Sequence, residues 1–435
     1  MISTCEKSNN NYPRVLTISH NCFSKNGSNG RTLANLFIDW PKESIAQLYI
    51  YNELPNSDVC ENYFRITDIE VLNAFVNSSS VGRVLTNKTV QTEDNNEKSI
   101  KLYRKHKKRT SLNYILRNHV WDSRRWQRNK LTEWINEFQP DIILLQIGDY
   151  AFLHRIALQI AEELQIPIIL YNSEDYYFKD RKSISPIYYY YRRQYKNIFK
   201  RLLNYASCSI YNSKMLEQTY QDAFKHNSDV IMASSEVKCL TEFGNPTWPI
   251  TIAYLGNLGV GRHEPIIEVA EVLQEISSDL FVDVYGKCPD DRVQVALQES
   301  KGIHLHGVVT YEDVLSIMKS CDILLHVENS SQFYQWDLKH AFSTKIADCL
   351  ACGKCFLVYS PPNIASAKYL IENQAAYVVT NKQQLKLTLF ELIKNPTTQN
   401  AFFENAINLV KKNHNATING TKFKKLVVEI VNKES

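Results

Sequence analysis

Residues 340–360 read HAFSTKIADCLACGKCFLVYS, and the rest of the chain is arranged around them. Ser343 or Thr344 can cap a helix, good helix formers continue to Cys352, and Gly353 supplies a stop. The run CFLVY that follows reads as a buried strand. A capped helix start offers unpaired backbone N–H groups and the positive end of the helix dipole, which suits a phosphate. Lys345 falls in that first turn, and Asp348 lies three residues further along the same face, about one 5.4 Å turn away. That offset resembles the step from a nucleotide's diphosphate to its ribose hydroxyls, which a carboxylate can hold with both oxygens. An ordinary amphipathic helix with exposed Lys and Asp would produce the same pattern, so the neighbouring sequence has to choose.

A chain of 435 residues is long enough for two domains, each with its own core. Its 44% hydrophobic and 22% charged residues are those of a water-soluble globular protein. The first residues, MISTCEKSNNNYP, lack the apolar core of a signal peptide. The longest apolar candidate, residues 142–171, is interrupted by Asp149, His154, Arg155, Glu162 and Glu163, so no membrane span is expected. Ten cysteines without framework spacing indicate reduced thiols in a cytoplasm. Cys349, Cys352 and Cys355 form C-x2-C-x2-C, but they straddle a helix, a stop and a strand and read as small core residues.

Net charge is only +4, yet it is unevenly spread. Residues 98–130 contain twelve Lys or Arg and one Asp, interleaved with Tyr103, Tyr114, Trp121 and Trp126, with Trp134 just beyond. Residues 179–201 repeat the character, with eight Lys or Arg, one Asp and four successive tyrosines at 188–191. Cations mixed with aromatic rings suit the headgroup region of an anionic membrane. A solvated helix with core tryptophans is the alternative. Nucleic acid ranks lower because no recognised nucleic-acid fold motif accompanies the charge.

Taken in order, residues 14–20 (RVLTISH) form a first strand, followed by the loop NCFSKNGSNG and a helix over 31–39. Gly27 and Gly30 could let the backbone approach a ligand, with Ser28 or Asn29 as cap and Arg31 presenting charge; equally, they are ordinary turn residues. Residues 45–51 read as a second strand, whereas 54–96 show little pattern. The run DIILLQI ends at Gly148 and Asp149, and the strand before NSEDYYFKD ends near Glu174 and Asp175. Carboxylates just past the carboxyl ends of parallel strands can bind sugar hydroxyls or handle protons, or simply cap helices. An acidic-polar stretch, 234–248, reads as a linker. From Ile250 a second β-α-β series begins, ITIAYL then GNLGVGRHE, in which Arg262 follows Gly256, Gly259 and Gly261 and can offer a planar fork to a diphosphate. A helix over 415–431 gathers Ile418, Phe423, Leu426, Val427, Ile430 and Val431 largely on one face, which must pack somewhere.

With YLGNLGVGR, VYGK, CDILLHVEN and FSTKIADCLACGKCFLVYS in this order, the chain resembles the GT-B glycosyltransferases. More closely, it is similar to the retaining enzymes of glycosyltransferase family 4 that build bacterial capsular and exopolysaccharides. The resemblance implies two doubly wound Rossmann-like α/β domains facing across a cleft. The domains expected are 1–233, with 413–435 returning to it, for the acceptor, and 249–412 for the nucleotide-sugar donor. It implies that Arg262, Lys345, Ser343 and Thr344 hold the diphosphate, that Gly256, Asn257 and Gly259 line the donor, and that Asp348 binds ribose. The position eight residues before Asp348, an acid in the family, is His340 here, so Glu328 or Asn329 would have to substitute.

In the first domain, Glu174 or Asp175 stands where many relatives carry a histidine, so the resemblance implies Glu174 as a catalytic residue beside Arg262 and Lys345, with Gly30, Arg31, Asp149 and Asp175 on the acceptor or sugar side. No D-x-D triplet occurs, so diphosphate charge is expected to be met by cations and helix dipoles, with no metal and no cofactor. The expected partners are a nucleotide-sugar donor (UDP-linked in preference to GDP-linked), a saccharide or lipid-linked acceptor, and an anionic membrane through 98–130 and 179–201. The expected place is the cytoplasm, peripheral on the inner face of its membrane. Two other readings stay open: a sugar-nucleotide 2-epimerase of the same shape, and a non-catalytic sugar-nucleotide-binding homologue.

Overall fold

The computed structural model describes residues 12–25, 27–85, 110–123, 125–126, 128–239, 242–243, 246 and 248–434. It divides into two compact units, one of Met1–Ile231 with Gly420–Ser435 and the other of Met232–Asn419. The expected basic segment therefore lies partly outside the described residues, over 98–109.

The first unit holds an eight-stranded sheet in the order β4-β3-β2-β1-β5-β6-β7-β8. Its strands are β1 Val15–Ser19, β2 Ile45–Tyr49, β3 Asn62–Arg65, β4 Arg83–Leu85, β5 Ile142–Gln146, β6 Ile168–Asn172, β7 Cys208–Tyr211 and β8 Ser228–Val230. Neighbours are parallel except β4, which runs antiparallel to β3. Helices cover both faces, so the strands read as continuous apolar runs rather than alternating ones. On β5, Ile143 and Leu145 enter one core while Ile142 and Leu144 enter the other. Each such burial contributes roughly 1.5–3 kcal/mol.

The second unit holds six parallel strands in the order β11-β10-β9-β12-β13-β14. These are β9 Ile252–Leu255, β10 Val282–Tyr285, β11 Ile303–Gly307, β12 Ile323–Val327, β13 Cys355–Tyr359 and β14 Tyr377–Val379. Strand order reverses beside β1 in one sheet and beside β9 in the other. Such switch points open a crevice at the carboxyl ends of the strands.

Several expectations change. The stretch 54–96, opaque in sequence, contains β3, β4 and the helix Asp68–Asn77, closed by a Thr67–Glu70 capping box. The helix expected over 31–39 is instead Ser28–Ala34 plus a 3-10 turn Asn35–Phe37. The linker stretch 234–248 begins inside the second unit, where Ser235 Oγ donates to Asp348 Oδ1 at 2.7 Å. The last helix, Ala416–Glu434, enters the first unit at Gly420 and buries Phe423, Val427 and Ile430 in one of its cores, with Phe423 packed on Phe37 and Trp40, but Ile418 stays exposed.

Trp121, Trp126 and Trp134 are core residues, not interfacial ones: all three are buried, and their N–H groups donate to Asp68, the Trp121 carbonyl and Asn62. In the helix Pro186–Tyr205, Tyr191 and Tyr195 face inward while Tyr189 and Tyr190 remain exposed beside Ile184 and Ile187. Among the described residues, no helix is long and apolar enough to cross a membrane. The nine described cysteines are unpaired; Cys349, Cys352 and Cys355 are buried, as core thiols should be.

Candidate functional site

At the switch point of the second sheet, β9 runs into the Gly-rich loop and the helix His263–Ile276. The loop turns through two left-handed residues, Val260 at φ 58° and Gly261 at φ 70°. A Cβ at Gly261 would lie 2.4 Å from the Tyr334 ring and 2.6 Å from Asn329 Nδ2, so only glycine fits there. Asn329, which follows β12, donates through Nδ2 to the Gly261 carbonyl at 2.8 Å and to Glu264 Oε2 at 2.9 Å. Its Oδ1 accepts from the Ser331 amide. Asn329 therefore pins the loop to the strand end, a structural duty beside the donor-binding one expected of it. Asn257 likewise turns inward on its own loop, accepting from the Gly259 amide at 2.8 Å.

Arg262 reaches across to β12. Its Nε and Nη2 donate to Glu328 Oε2 and Oε1, each at 2.9 Å, a two-pronged pair in which the Glu328 side chain is 1% exposed. Burial alone would raise the Glu328 pKa, but the approach of His326 Nε2, 3.4 Å from Oε1, and the Arg262 charge overcome it and hold the carboxyl at about 2. Beside this pair stands Lys345, first residue of the helix Lys345–Ala351. Its residue surface is part-exposed, but its ammonium is enclosed, 5.1 Å from the Tyr254 ring centre and against Gly256. A Cβ on Gly256 would fall 1.6 Å from Nζ, so the glycine makes room for the ammonium. Burial, then the neighbouring Arg262 charge, lowers the Lys345 pKa to about 8. Two cations and one carboxylate thus share one enclosed corner.

The helix start differs in detail from expectation. Thr344 is the N-cap but makes no side-chain cap bond, and Ser343 instead accepts from the Ile346 amide through its backbone carbonyl. Asp348 is 2% exposed and accepts from Ser235 Oγ and, at 3.4 Å, from the Tyr311 hydroxyl. His340 is buried. A hollow past β12, β13 and β14 is lined by Glu264, Glu268, Glu328, Asn329, Tyr359 and Ser360. The Tyr359 hydroxyl donates to Glu268 Oε2 at 2.6 Å. Sequence reasoning missed Glu264 and Glu268. Their i, i+4 spacing just after Arg262 was the available signal, since it aims both toward the same strand edge.

The switch point of the first sheet is aromatic. His20, directly after β1, packs edge-on against Tyr150 with ring centres 4.3 Å apart. Gly148 leaves the space for it: a Cβ there would lie 1.8 Å from His20 Cε1. The Tyr114 hydroxyl donates to Asp149 Oδ2, and Tyr114 stacks on Tyr191 at 4.9 Å. Tyr51 and Tyr150 join their hydroxyls at 3.2 Å, and the Arg117 guanidinium lies 4.0 Å over the Tyr150 ring. Of the acceptor-side residues expected from sequence, Asp149 is the one at this corner. Asp175 accepts from the Tyr220 hydroxyl, on the helix Lys214–Phe224, at 2.8 Å and from the Phe178 amide of its own loop at 2.9 Å, while Glu174 is exposed. Gly30 is buried because the helix passes close: a Cβ there would lie 2.2 Å from the Cys22 carbonyl oxygen. Its glycine answers to packing rather than to ligand approach. Arg31, next to it, is half-buried. His20 was overlooked in sequence because a lone histidine at a strand end has no spacing to mark it.

Comparison with known proteins supplies the context. Residues 262–422 match a family model described as glycosyl transferase-like, a stretch that opens at Arg262 and includes Glu328, Lys345 and Asp348. A glycosyltransferase of Methanocaldococcus jannaschii, MJ1069, is 23% identical over 135 residues, 31% of this chain. The matched stretch spans about a third of that relative, 32% of its length. Among solved structures, Anabaena HepE in complex with UDP and glucose superposes with a TM-score of 0.62 at 11% identity, covering 96% of this chain and 100% of that one. Sucrose-phosphate synthase of Thermosynechococcus elongatus gives 0.62 at 10% identity, covering 96% and 99%. The fold is that of the GT-B glycosyltransferases, two Rossmann-like parallel sheets in one chain.

Proposed function

We propose that this chain is a glycosyltransferase that takes a sugar from a nucleotide-diphosphate donor bound at the switch point of the second sheet. The observation that carries the reading is the enclosed corner where Lys345 and Arg262 meet above the Gly256–Gly261 loop. Two cations held by β9, β12 and a helix start form a preorganised receptor for a diphosphate. HepE, solved with UDP and with glucose, supports a UDP-sugar as the donor class.

Departure of the nucleoside diphosphate places negative charge on its β-phosphate. Lys345 and Arg262, already fixed by their neighbours, would meet that charge without reorganising, which is the kind of term that contributes most to catalysis. Glu328 keeps Arg262 in place and sets its plane. A diphosphate would also favour the ammonium form of Lys345 and raise its lowered pKa. The acidic hollow with Glu264, Glu268 and Tyr359 suits the hydroxyls of a sugar, and Asp348 would exchange its long Tyr311 contact for ribose. Retention follows if the leaving phosphate itself takes the acceptor proton, a route that asks for no separate general base.

The acceptor is a saccharide, seated by the tyrosines and Asp149 of the first sheet. If it is lipid-linked, the exposed Ile184, Ile187, Tyr189 and Tyr190, with the neighbouring lysines and arginines, would meet an anionic membrane and serve polysaccharide assembly there. Flotation with anionic liposomes tests this: association at low salt and release at high salt are expected, and no association at low salt refutes it. The donor reading is tested by thermal shift with UDP, GDP and their sugars. UDP or a UDP-sugar should raise Tm, and no shift with either nucleotide family would refute it. Incubation with donor alone must give no isomerised sugar; an isomerised product would make the chain an epimerase.

A further inference from the structure

On the outer edge of the second sheet, away from the charged corner, three side chains converge. Asp283 on β10 lies directly opposite His304 on the edge strand β11. The register then shifts, Val284 pairing with Leu305 and Tyr285 with Gly307, so His306 is the extra residue of a bulge. Bulges re-aim side chains, and here His306 Nε2 comes to 2.7 Å from Asp283 Oδ1 while His304 Nδ1 stands 3.3 Å from the same oxygen. All three candidate ligand atoms lie within 4.8 Å of one another.

The imidazoles are also held in orientation. His304 stacks on Phe281 with ring centres 4.3 Å apart and planes 13° from parallel; His306 stacks on Tyr285 at 4.4 Å and 8°. Strand β10 and the residue before it thus present aromatic, carboxylate, aromatic at 281, 283 and 285, and each ring backs a histidine. Stacking of this kind fixes ring planes, the task that second-layer contacts perform around metal ligands.

We propose that Asp283, His304 and His306 form a binding site for a borderline divalent transition-metal ion, of which Zn2+ is the natural representative. Zinc bonds of about 2.0–2.2 Å to imidazole nitrogen and carboxylate oxygen put ligand atoms roughly 3.3 Å apart in a tetrahedron. The separations of 2.7 and 3.3 Å from the carboxylate oxygen are near that value, and the two nitrogens lie within 4.8 Å of each other. Two nitrogens and one oxygen disfavour Mg2+ and Ca2+, which prefer oxygen ligands. The side chains are 30–52% exposed, so the remaining coordination position opens to solvent or to a further ligand. The ion would clamp β10 to β11 just before Gly286, whose amide donates to the Gly307 carbonyl. This site is separate from the proposed donor chemistry and does not depend on it.

The test uses the full-length protein, reduced and stripped by chelator, titrated with Co2+ and then with Zn2+. One equivalent of Co2+ should give a visible d–d spectrum without a thiolate charge-transfer band, and Zn2+ should displace it. Zn2+ but not Mg2+ should raise Tm. His306→Ala and His304→Ala should each weaken Zn2+ binding by more than about tenfold, and Asp283→Asn by a similar factor. Unchanged metal-free circular dichroism in each variant shows that the fold survives. The proposal is overturned if the stripped wild-type protein binds no Co2+ or Zn2+ at 100 micromolar (~1,000-fold above a submicromolar site). It is equally overturned if binding persists in the His304→Ala/His306→Ala double variant.

Discussion

The two sheets solve the same topological problem with opposite chemistry. Where strand order reverses beside β9, the corner is charged: Arg262, Lys345 and Glu328 gather at a loop in which Gly256 leaves the space for the Lys345 ammonium. Beside β1 the corner is aromatic, with His20, Tyr51, Tyr114 and Tyr150, and its carboxylate Asp149 is bonded to a tyrosine. On the proposed function, the charged, enclosed corner would stabilise a departing anion, and the aromatic one would offer faces and hydroxyls to a neutral saccharide. The contrast teaches that fold supplies the location and side chains assign the role.

The largest effects should fall on the charged corner. Lys345→Ala and Arg262→Ala are each expected to lower kcat by about 10² or more, whereas Asp149→Asn should mainly raise KM for the acceptor; steady-state kinetics with varied donor and acceptor separate these outcomes. Equal damage to donor KM from both corners would break the comparison. Glu328→Gln leaves a guanidinium without its buried partner and should cost about 3 kcal/mol in urea unfolding. Because folding lowers the Glu328 pKa from 4.5 to about 2, its stabilisation is complete above pH 4.5 and is lost as pH falls toward 2. Glu328→Gln should accordingly flatten the acid limb of the stability profile.

Lys345 gives the corresponding basic signature. Its pKa is lowered by folding from 10.5 to about 8, so protonation opposes folding below pH 8 and that penalty fades as pH rises toward 10.5. Donor kcat/KM should fall above about pH 8 as the ammonium is lost, and Lys345→Arg should move that limb out of range even if it lowers the rate. On the aromatic side, Gly148→Ala should displace His20 and destabilise the first unit by roughly 1–3 kcal/mol without altering UDP affinity. Smallest of all, Val260→Gly should relieve a left-handed β-branched residue and change stability by no more than about 1 kcal/mol, measured as a shift in Tm.

Much of this was legible in sequence where the signal was local. The alternation of buried strands with Gly-containing loops gave the central strands of both sheets but not β3, β4, β8 or β14, and the residues after Gly256 and Thr344 pointed to Arg262 and Lys345 but not to the Arg262–Glu328 pair. What failed had to do with direction. Nothing in the basic run 98–130 distinguishes a tryptophan facing lipid from one facing a core, and Trp121 and Trp126 face the core. Asn329 and Asp175 have the residue types of ligand contacts, yet Asn329 ties the Gly261 loop to its strand end and Asp175 accepts from Tyr220 and the Phe178 amide. Asp283, His304 and His306 lie more than twenty residues apart at their extremes, and only strand pairing with a bulge brings them together.

The central claim is that the diphosphate rests on Lys345 and Arg262. Calorimetric titration of UDP and of uridine into the wild-type protein and into Lys345→Ala tests it most directly. UDP should bind the wild type at least about tenfold more tightly than uridine, a margin of roughly 1.4 kcal/mol, and that margin should collapse in the variant. A margin that survives Lys345→Ala, or uridine binding as tightly as UDP in the wild type, would contradict the account.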